Sequence, residues 1–352
     1  MTTVIKSKSP GVKPRHWLSF VDHEPNELAA LVKSAREIKA GRDQHAADAI
    51  FGRILGMVFF NPSLRTRTSF EAAMMRFGGH AITLNVGGDT WNLEYRDGVV
   101  MNGAAAEHIR EAAPVLSRYC NIIGVRTFAG MKSAAEDAQD ALLRAFARFA
   151  TVPVVSLESA TEHPCQALAD WMTIDERFGS AAGRRFTLTW APQAKATPMA
   201  VPHSAVLCAA AAGMNLTIAH PPGYELNADV LARAKQWCDR AGTEFMVTHD
   251  QAAACASAEV LYVKSWGSPQ FYGDADGQRD SFARHANWMV TQRNLATSES
   301  VLMHCLPVRR NVVIADDALD DSRCIVVDQA ENRMWAQAAI LANLLGPPSG
   351  RS

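Results

Sequence analysis

Ile54-Leu55-Gly56-Met57-Val58-Phe59-Phe60-Asn61-Pro62-Ser63-Leu64-Arg65-Thr66-Arg67-Thr68-Ser69-Phe70-Glu71 holds both the fold signal and the site signal of this chain. Its first seven residues are an unbroken apolar run, the pattern of a strand buried on both faces. Asn61-Pro62-Ser63 is a turn, and a helix follows that ends at Gly78-Gly79. A strand buried on both faces needs helices above and below it, which points to an α/β fold. The same turn can hold an anion. The first N–H groups of a helix lack partners, and the helix dipole is positive there. Ser63 and Thr66 add hydroxyl donors, and Arg65 adds a planar fork that suits phosphate. A lone Ser-x-Arg would be an ordinary N-cap followed by solvated charge. Three hydroxyls and two arginines in one strand-to-helix turn favour the anion site. Neither GxxxxGKS/T nor GxGxxG occurs, so nucleotide binding loses its best support.

Outward from that unit the chain alternates strand and helix. Leu28, Leu31, Val32, Ala35 and Ile38 share one face of a helix. Strands are predicted at Ala81–Leu84, Ile122–Val125 and Val152–Ser156, with helices over 107–119 and 135–149 between them. After a helix over 164–177 the rhythm restarts. Strands are predicted at Phe186–Trp190, Leu216–Ala219, Glu244–Val247, Val260–Val263, Val301–His304 and Cys324–Val327. Helices are predicted over 198–212, 227–241 and 331–345. Residues 267–284, rich in Gly, Asp, Ser and Gln, are expected to form a surface loop. The pattern predicts an α/β protein of two doubly wound parallel-sheet domains, over residues 16–160 and 161–330. A disordered lead-in is expected over 1–15, and a C-terminal helical segment over 331–352 that can return to the first domain.

A chain of 352 residues exceeds one ordinary core and suits two. The formal net charge of -1 supplies no bulk field toward nucleic acid or an anionic membrane, so a bound anion needs a local cluster. No stretch is long and apolar enough to span a bilayer. The N-terminal MTTVIKSKSPGVKPRH has basic residues but no apolar run, so it does not read as a secretory signal. Seven cysteines, odd in number and without a CxxC pair, argue against a disulfide framework or a zinc site. A reducing cytoplasm is the expected compartment.

Three segments together resemble a family. Residues Phe59 to Glu71 are similar to the carbamoyl phosphate motif of the aspartate and ornithine carbamoyltransferases. His163-Pro164-Cys165-Gln166 resembles that family's HPxQ motif, and His304-Cys305-Leu306-Pro307 resembles the HCLP motif of its ornithine branch. The resemblance runs from about residue 16 to 345. It implies a carbamoyl phosphate domain, an amino-acid domain with the site between them, and homotrimers whose active sites are shared between subunits. By matched position, Ser63, Leu64, Arg65 and Thr66 hold phosphate, and Arg126 reaches phosphate and carbonyl oxygen. His163 and Gln166 bind the carbamoyl end, while Cys305, Leu306 and Arg333 close the site. Arg126, His163 and Cys305 are the implied catalytic residues. No metal or organic cofactor is implied, and the partners are carbamoyl phosphate and an amine.

Within the family the chain looks closest to the N-acylornithine carbamoyltransferases. Trp91 matches their tryptophan that crosses to a neighbouring subunit's carbamoyl phosphate. Glu158, Lys264 and Arg309 match residues on the acylornithine side, and Gln193 stands where a histidine is usual. Ala106 stands where the acetylornithine enzymes carry glutamate and the succinylornithine enzymes a small apolar residue. Val313 stands where the acetylornithine enzymes carry a lysine. Alanine leaves room for a succinyl carboxylate that a glutamate would repel, which favours N-succinyl-L-ornithine over N-acetyl-L-ornithine. Gln193 and His203 depart from the acylornithine pattern, which keeps ornithine or another amine as alternatives. A phosphate-binding regulatory protein without turnover is the more distant alternative.

Overall fold

The structure, a computed structural model, describes residues 14–346. All but the last two residues of the lead-in expected over 1–15 lie outside the described residues, as do residues 347–352.

The first domain runs through α1 (Pro25–Lys39), α2 (His45–Ile50), β1 (Ile54–Phe59), α3 (Arg65–Arg76), β2 (His80–Asn85), β3 (Asn92–Glu94) and β4 (Ala105–His108). It continues through α4 (Ile109–Tyr119), β5 (Ile122–Arg126), α5 (Ala134–Asp137), α6 (Ala141–Phe149) and β6 (Val154–Glu158), and α7 (Pro164–Phe178) then leads from β6 toward the second sheet. Its main sheet has the order β2-β1-β5-β6, with every pair parallel. The second domain contains β7 (Arg185–Trp190), α8 (Ala200–Ala211), β8 (Asn215–Ala219), α9 (Ala228–Ala241), β9 (Phe245–Thr248), α10 (Gln251–Ala256) and β10 (Val260–Lys264). Then come α11 (Ala275–Arg284), β11 (Val301–Met303), α12 (Asp316–Leu319) and α13 (Val326–Leu345). Its sheet has the order β11-β10-β7-β8-β9, again all parallel.

Burial follows sheet position. Almost every residue of β1, β5, β7 and β10 is buried, as a strand covered on both faces requires. Edge strands β2 and β9 are half-exposed. The β6 edge is buried because the N-terminal segment pairs with it. Trp17 N–H donates to Val154 at 2.8 Å, and Ser156 N–H donates to Trp17 at 2.7 Å. The same segment clasps the link between the domains. Ser19 Oγ and Phe20 N–H both donate to the carboxylate of Glu162, which burial pushes up to about 7.

Helix α13 leaves the second sheet and packs on α1, α2, α3 and α7. Lys39 Nζ donates to its Asn332 at 2.7 Å. A strand was expected at Cys324–Val327. Cys324 instead forms one isolated bridge to Leu302, and Gln329 N–H bonds back to Ile325 at 2.9 Å, so the helix begins at Val326. The helix expected over 135–149 is broken at Asp140, which has φ 46°. Its carboxylate accepts from Ser159 Oγ at 2.7 Å and Ala160 N–H at 2.9 Å, and these bonds hold it outside helical geometry. The loop expected over 267–284 contains α11, capped by Asp274, which accepts from Gly277 N–H at 2.9 Å. Only one face of α11 is buried, through Gln278, Ser281 and Phe282, and its polar composition concealed it. The short parallel pair β3–β4 was not expected from sequence. Among the described residues no helix is long and apolar enough to cross a membrane.

Candidate active site

The site residues gather past the carboxyl ends of strands from both sheets, where open α/β sheets bind ligands. Arg126 ends β5, Glu158 ends β6 and Lys264 ends β10. The turn after β1 carries Ser63, and the chain after β11 carries Cys305. A one-residue slip between β5 and β6 pairs Val125 with Ser156 and then Arg126 with Glu158. That irregularity puts a guanidinium and a carboxylate side by side. Arg126 Nη1 donates to Glu158 Oε2 at 2.5 Å and to Thr66 Oγ1 at 3.3 Å. From α13, Arg333 Nη2 donates to the same Thr66 Oγ1 at 2.6 Å. Thr66 N–H donates to Ser63 Oγ at 3.1 Å, so Ser63 caps the first turn of α3. Leu64 is 75% exposed.

Arg65, Arg126 and Arg333 therefore converge at the start of α3 with Glu158 as their nearby carboxylate. The Nε atom of each is buried and has no hydrogen-bond partner among the described residues. Burial, reinforced by Arg65, pushes Arg333 down to about 10. Burial lowers Arg65 too, with Arg126 adding to the effect. A cluster that carries more cations than anions, with donors left unused, has the chemistry to hold an oxygen-rich anion.

His163 is the N-cap residue of α7, and its N–H donates to Ser204 Oγ at 2.7 Å. Its Nε2 lies 3.6 Å from Glu158 Oε2, and its buried Nδ1 has no hydrogen-bond partner. Burial and the three arginines hold it well below the ordinary histidine range, so it is neutral at neutral pH. Gln166 Nε2 donates to Asp170 at 2.8 Å, and its buried Oε1 has no hydrogen-bond partner. Burial raises the Cys305 thiol, although Lys264 opposes the shift. The chemistry available at Cys305 is therefore that of a neutral thiol. Leu306 follows at φ 56°, and its N–H donates to His304 Nδ1 at 2.8 Å.

On the other side of the site, the Lys264 side chain is buried beside His304 and Cys305, and its ammonium makes no hydrogen bond or ion pair among the described residues. Gln193 folds its Oε1 back onto Ala194 N–H at 3.0 Å. Arg309 is exposed, and its guanidinium has no hydrogen-bond or ion-pair partner among the described residues. Trp91 is 59% exposed beside β3, and its Nε1 donates to Glu107 on β4 at 2.8 Å. Ala106 is exposed on β4. No hydrogen bond joins Trp91 to the arginine cluster of its own chain.

Two sequence expectations are corrected. Val313 is fully buried in an apolar cluster with Leu261, Val263 and Leu302, so it packs the core and leaves no side chain for an acyl pocket. His203 does not re-aim the substrate side. Its Nδ1 meets the Thr161 carbonyl at 2.9 Å, and its Nε2 accepts from Asn227 N–H at 3.3 Å. Both ring nitrogens are used as struts, and burial pushes the ring down to about 4.

Comparison with known proteins agrees with this geometry. Residues 15–176 match the family profile "Aspartate/ornithine carbamoyltransferase, carbamoyl-P binding domain". Residues 198–344 match "Aspartate/ornithine carbamoyltransferase, Asp/Orn binding domain". The chain belongs to the aspartate/ornithine carbamoyltransferase family. It is 39% identical over 336 residues to an N-acetylornithine carbamoyltransferase of Xanthomonas campestris pv. campestris, covering 94% of this chain and 98% of that one. It is 36% identical over 320 residues to an N-succinylornithine carbamoyltransferase of Bacteroides thetaiotaomicron, covering 91% and 95%. Among solved structures, it is similar to a glutamate-to-alanine mutant of N-acetyl-L-ornithine transcarbamylase complexed with carbamyl phosphate and N-succinyl-L-norvaline. That match has a TM-score of 0.90 at 39% identity and covers 94% of this chain and 99% of that one.

Within this carbamoyltransferase fold, several supporting residues escaped the sequence reading. Asp170 lies fully inside an otherwise apolar stretch of α7, hydrogen-bonded to Gln166, Gln329 and Tyr262. A lone carboxylate in the run Ala167-Leu168-Ala169-Asp170-Trp171-Met172 was the available signal. Ser204 and Gln329 gave none, because their partners are distant in sequence.

Proposed function

We propose that this chain transfers the carbamoyl group of carbamoyl phosphate to the δ-amine of an N-acyl-L-ornithine, giving N-acyl-L-citrulline and phosphate in arginine biosynthesis. The observation that carries this reading is the convergence of Arg65, Arg126 and Arg333 on the first turn of α3, with their Nε donors unused. The neutral amine attacks the carbamoyl carbon, a C–N bond forms, and the bond from that carbon to the phosphate oxygen breaks. The amine's proton leaves to phosphate or solvent. Charge grows first on the carbonyl oxygen, where Arg126, Thr66 and neutral His163 supply donors, and then on the departing phosphate at Ser63 and Arg65. Lys264 and Arg309, both without ion-pair partners among the described residues, are suited to the acceptor's carboxylates.

N-succinyl-L-ornithine is the favoured acceptor, and N-acetyl-L-ornithine the second reading. Support for succinyl now rests on Ala106, since Val313 is a core residue. The similar solved structure that is complexed with N-succinyl-L-norvaline is itself a glutamate-to-alanine mutant. The acetyl reading draws on the somewhat higher identity to the Xanthomonas relative. The deciding experiment measures citrulline-type product from carbamoyl phosphate with N-succinyl-L-ornithine, N-acetyl-L-ornithine and L-ornithine in parallel. A clear succinyl preference is expected. Ala106→Glu should then lower succinylornithine use about tenfold or more relative to acetylornithine use, because it sets a carboxylate beside a carboxylate. Equal effects on both substrates would remove Ala106 from the acyl pocket.

The assembly proposed is a homotrimer with shared sites. Trp91 supports it, being exposed and without a hydrogen bond to its own chain's arginine cluster. Trp91→Ala and Arg65→Ala proteins, each weakly active alone, should regain activity when refolded together. In equal mixture about a quarter of the sites receive an intact Arg65 and an intact neighbouring Trp91. Mixed trimers no more active than their parents would mean that each chain completes its own site.

A further inference from the structure

A buried carboxamide decides whether a site accepts or donates a hydrogen bond, and the orientation of Gln166 is fixed by a chain of bonds that starts at a backbone amide. The His304 N–H can only donate, and it meets Gln329 Oε1 at 3.0 Å. Gln329 must therefore turn its Nε2 the other way, where it donates to Asp170 Oδ1 at 2.7 Å. Tyr262 O–H donates to the second carboxylate oxygen at 3.0 Å. An ionised carboxylate only accepts, so Gln166 can offer it only an N–H. The 2.8 Å bond from Gln166 Nε2 to Asp170 Oδ1 is that contact. Burial pushes the Asp170 carboxyl up to about 6, which leaves it ionised at neutral pH. The Gln166 oxygen is left over, buried and without a hydrogen-bond partner. It lies on the first turn of α7, three residues after His163. An amide with both ends free would turn to suit either a donor or an acceptor. This one cannot.

We propose that Asp170 and Gln329 are positioning residues that lock the Gln166 carboxamide as an acceptor. The site thereby selects carbamoyl phosphate, whose NH2 donates to that oxygen, over an acyl phosphate such as acetyl phosphate, whose methyl cannot. This rests on the carbamoyl phosphate reading of the site. A carbamoyl group and an acetyl group differ little in size, so shape alone separates them weakly. An acceptor left unsatisfied against a methyl group is the stronger discriminator.

The test is calorimetric titration of the full chain with carbamoyl phosphate, acetyl phosphate and inorganic phosphate. The parent should bind carbamoyl phosphate at least about tenfold more tightly than acetyl phosphate. Asp170→Leu, near in size but without an acceptor, should reduce that ratio by about tenfold while leaving inorganic phosphate binding unchanged. Asp170→Asn keeps an oxygen for both glutamines and should keep the parental ratio. If Asp170→Leu does not fold, Asp170→Val carries the same expectation, because it too removes the acceptor that Gln166 Nε2 faces. An unchanged ratio in either folded leucine or valine variant overturns the proposal. So do equal losses for all three anions, which a merely structural role would give, and a loss in Asp170→Asn as large as in Asp170→Leu. A parent that binds none of the three anions would overturn the carbamoyl phosphate reading itself, and this inference with it.

Discussion

Arg65→Ala is expected to lower kcat/KM for carbamoyl phosphate by about 10²–10³-fold, the usual cost of removing one donor to developing charge. The ligand-free protein should be as stable as the parent or more so. Arg65 has no ion-pair partner among the described residues to lose, and it shares its space with Arg126 and Arg333, whose like charges disfavour one another. Removing it relieves repulsion in the empty protein and removes attraction in the occupied one. Inorganic phosphate should raise the melting temperature of the parent by mass action and should do so much less in the variant. Steady-state kinetics with thermal unfolding, with and without phosphate, reads both effects. Near-parental kinetics would displace the carbamoyl phosphate site from this turn. Lost activity together with a lower melting temperature in the absence of phosphate would make Arg65 a structural residue.

Arg126→Ala should behave differently, because Arg126 answers a buried carboxylate. Without it, the one group left within 4 Å of Glu158 is the neutral His163 at 3.6 Å, and Arg65 and Arg333 attract the carboxylate only from farther off. Breaking a buried pair by removing one partner costs about 3–5 kcal/mol. The same change deletes one of the donors proposed for the carbonyl oxygen, so kcat should also fall by about 10³-fold. Adding Glu158→Gln separates the two effects. The double variant Arg126→Ala/Glu158→Gln should recover much of the stability, since no buried carboxylate stripped of its hydrogen-bonded partner remains, yet stay inactive. Denaturant unfolding and single-turnover kinetics on the three proteins test this. A double variant as unstable as Arg126→Ala would mean that the loss comes from packing. A single variant with parental kcat would take Arg126 out of the chemistry.

The two substitutions respond differently because one guanidinium has a structural partner and the other does not. That difference was invisible in the sequence, where both are arginines near a strand end. It arises from the slipped register of β5 against β6, which no periodicity encodes.

What the sequence by itself determined is local or repeated along the chain. Continuous apolar runs set the central strands, because a strand covered on both faces admits little else. The Ser63–Thr66 turn marked a candidate anion site, because unpaired helix-end N–H groups and clustered donors are properties of a few adjacent residues. The three motifs marked the family, which the two family profiles then matched. Short or interrupted elements were harder to read. Asp140 broke a helix through bonds to Ser159 and Ala160, 19 and 20 residues away, and α11 hid behind its polar face.

Tertiary structure alone decided what surrounds each matched residue. It put Val313 in the core and made His203 a strut, although both stood at positions where substrate contacts were expected. It brought Arg333 back from the last helix to Thr66, across 267 residues of chain. It also linked Gln166, Asp170, Gln329 and His304 into one oriented chain of hydrogen bonds. The physical reason is the same throughout. Helix and strand formation depend on neighbours a few residues apart, whereas pairing, desolvation and hydrogen-bond direction depend on groups that meet only when two sheets and the returning helix close on one another.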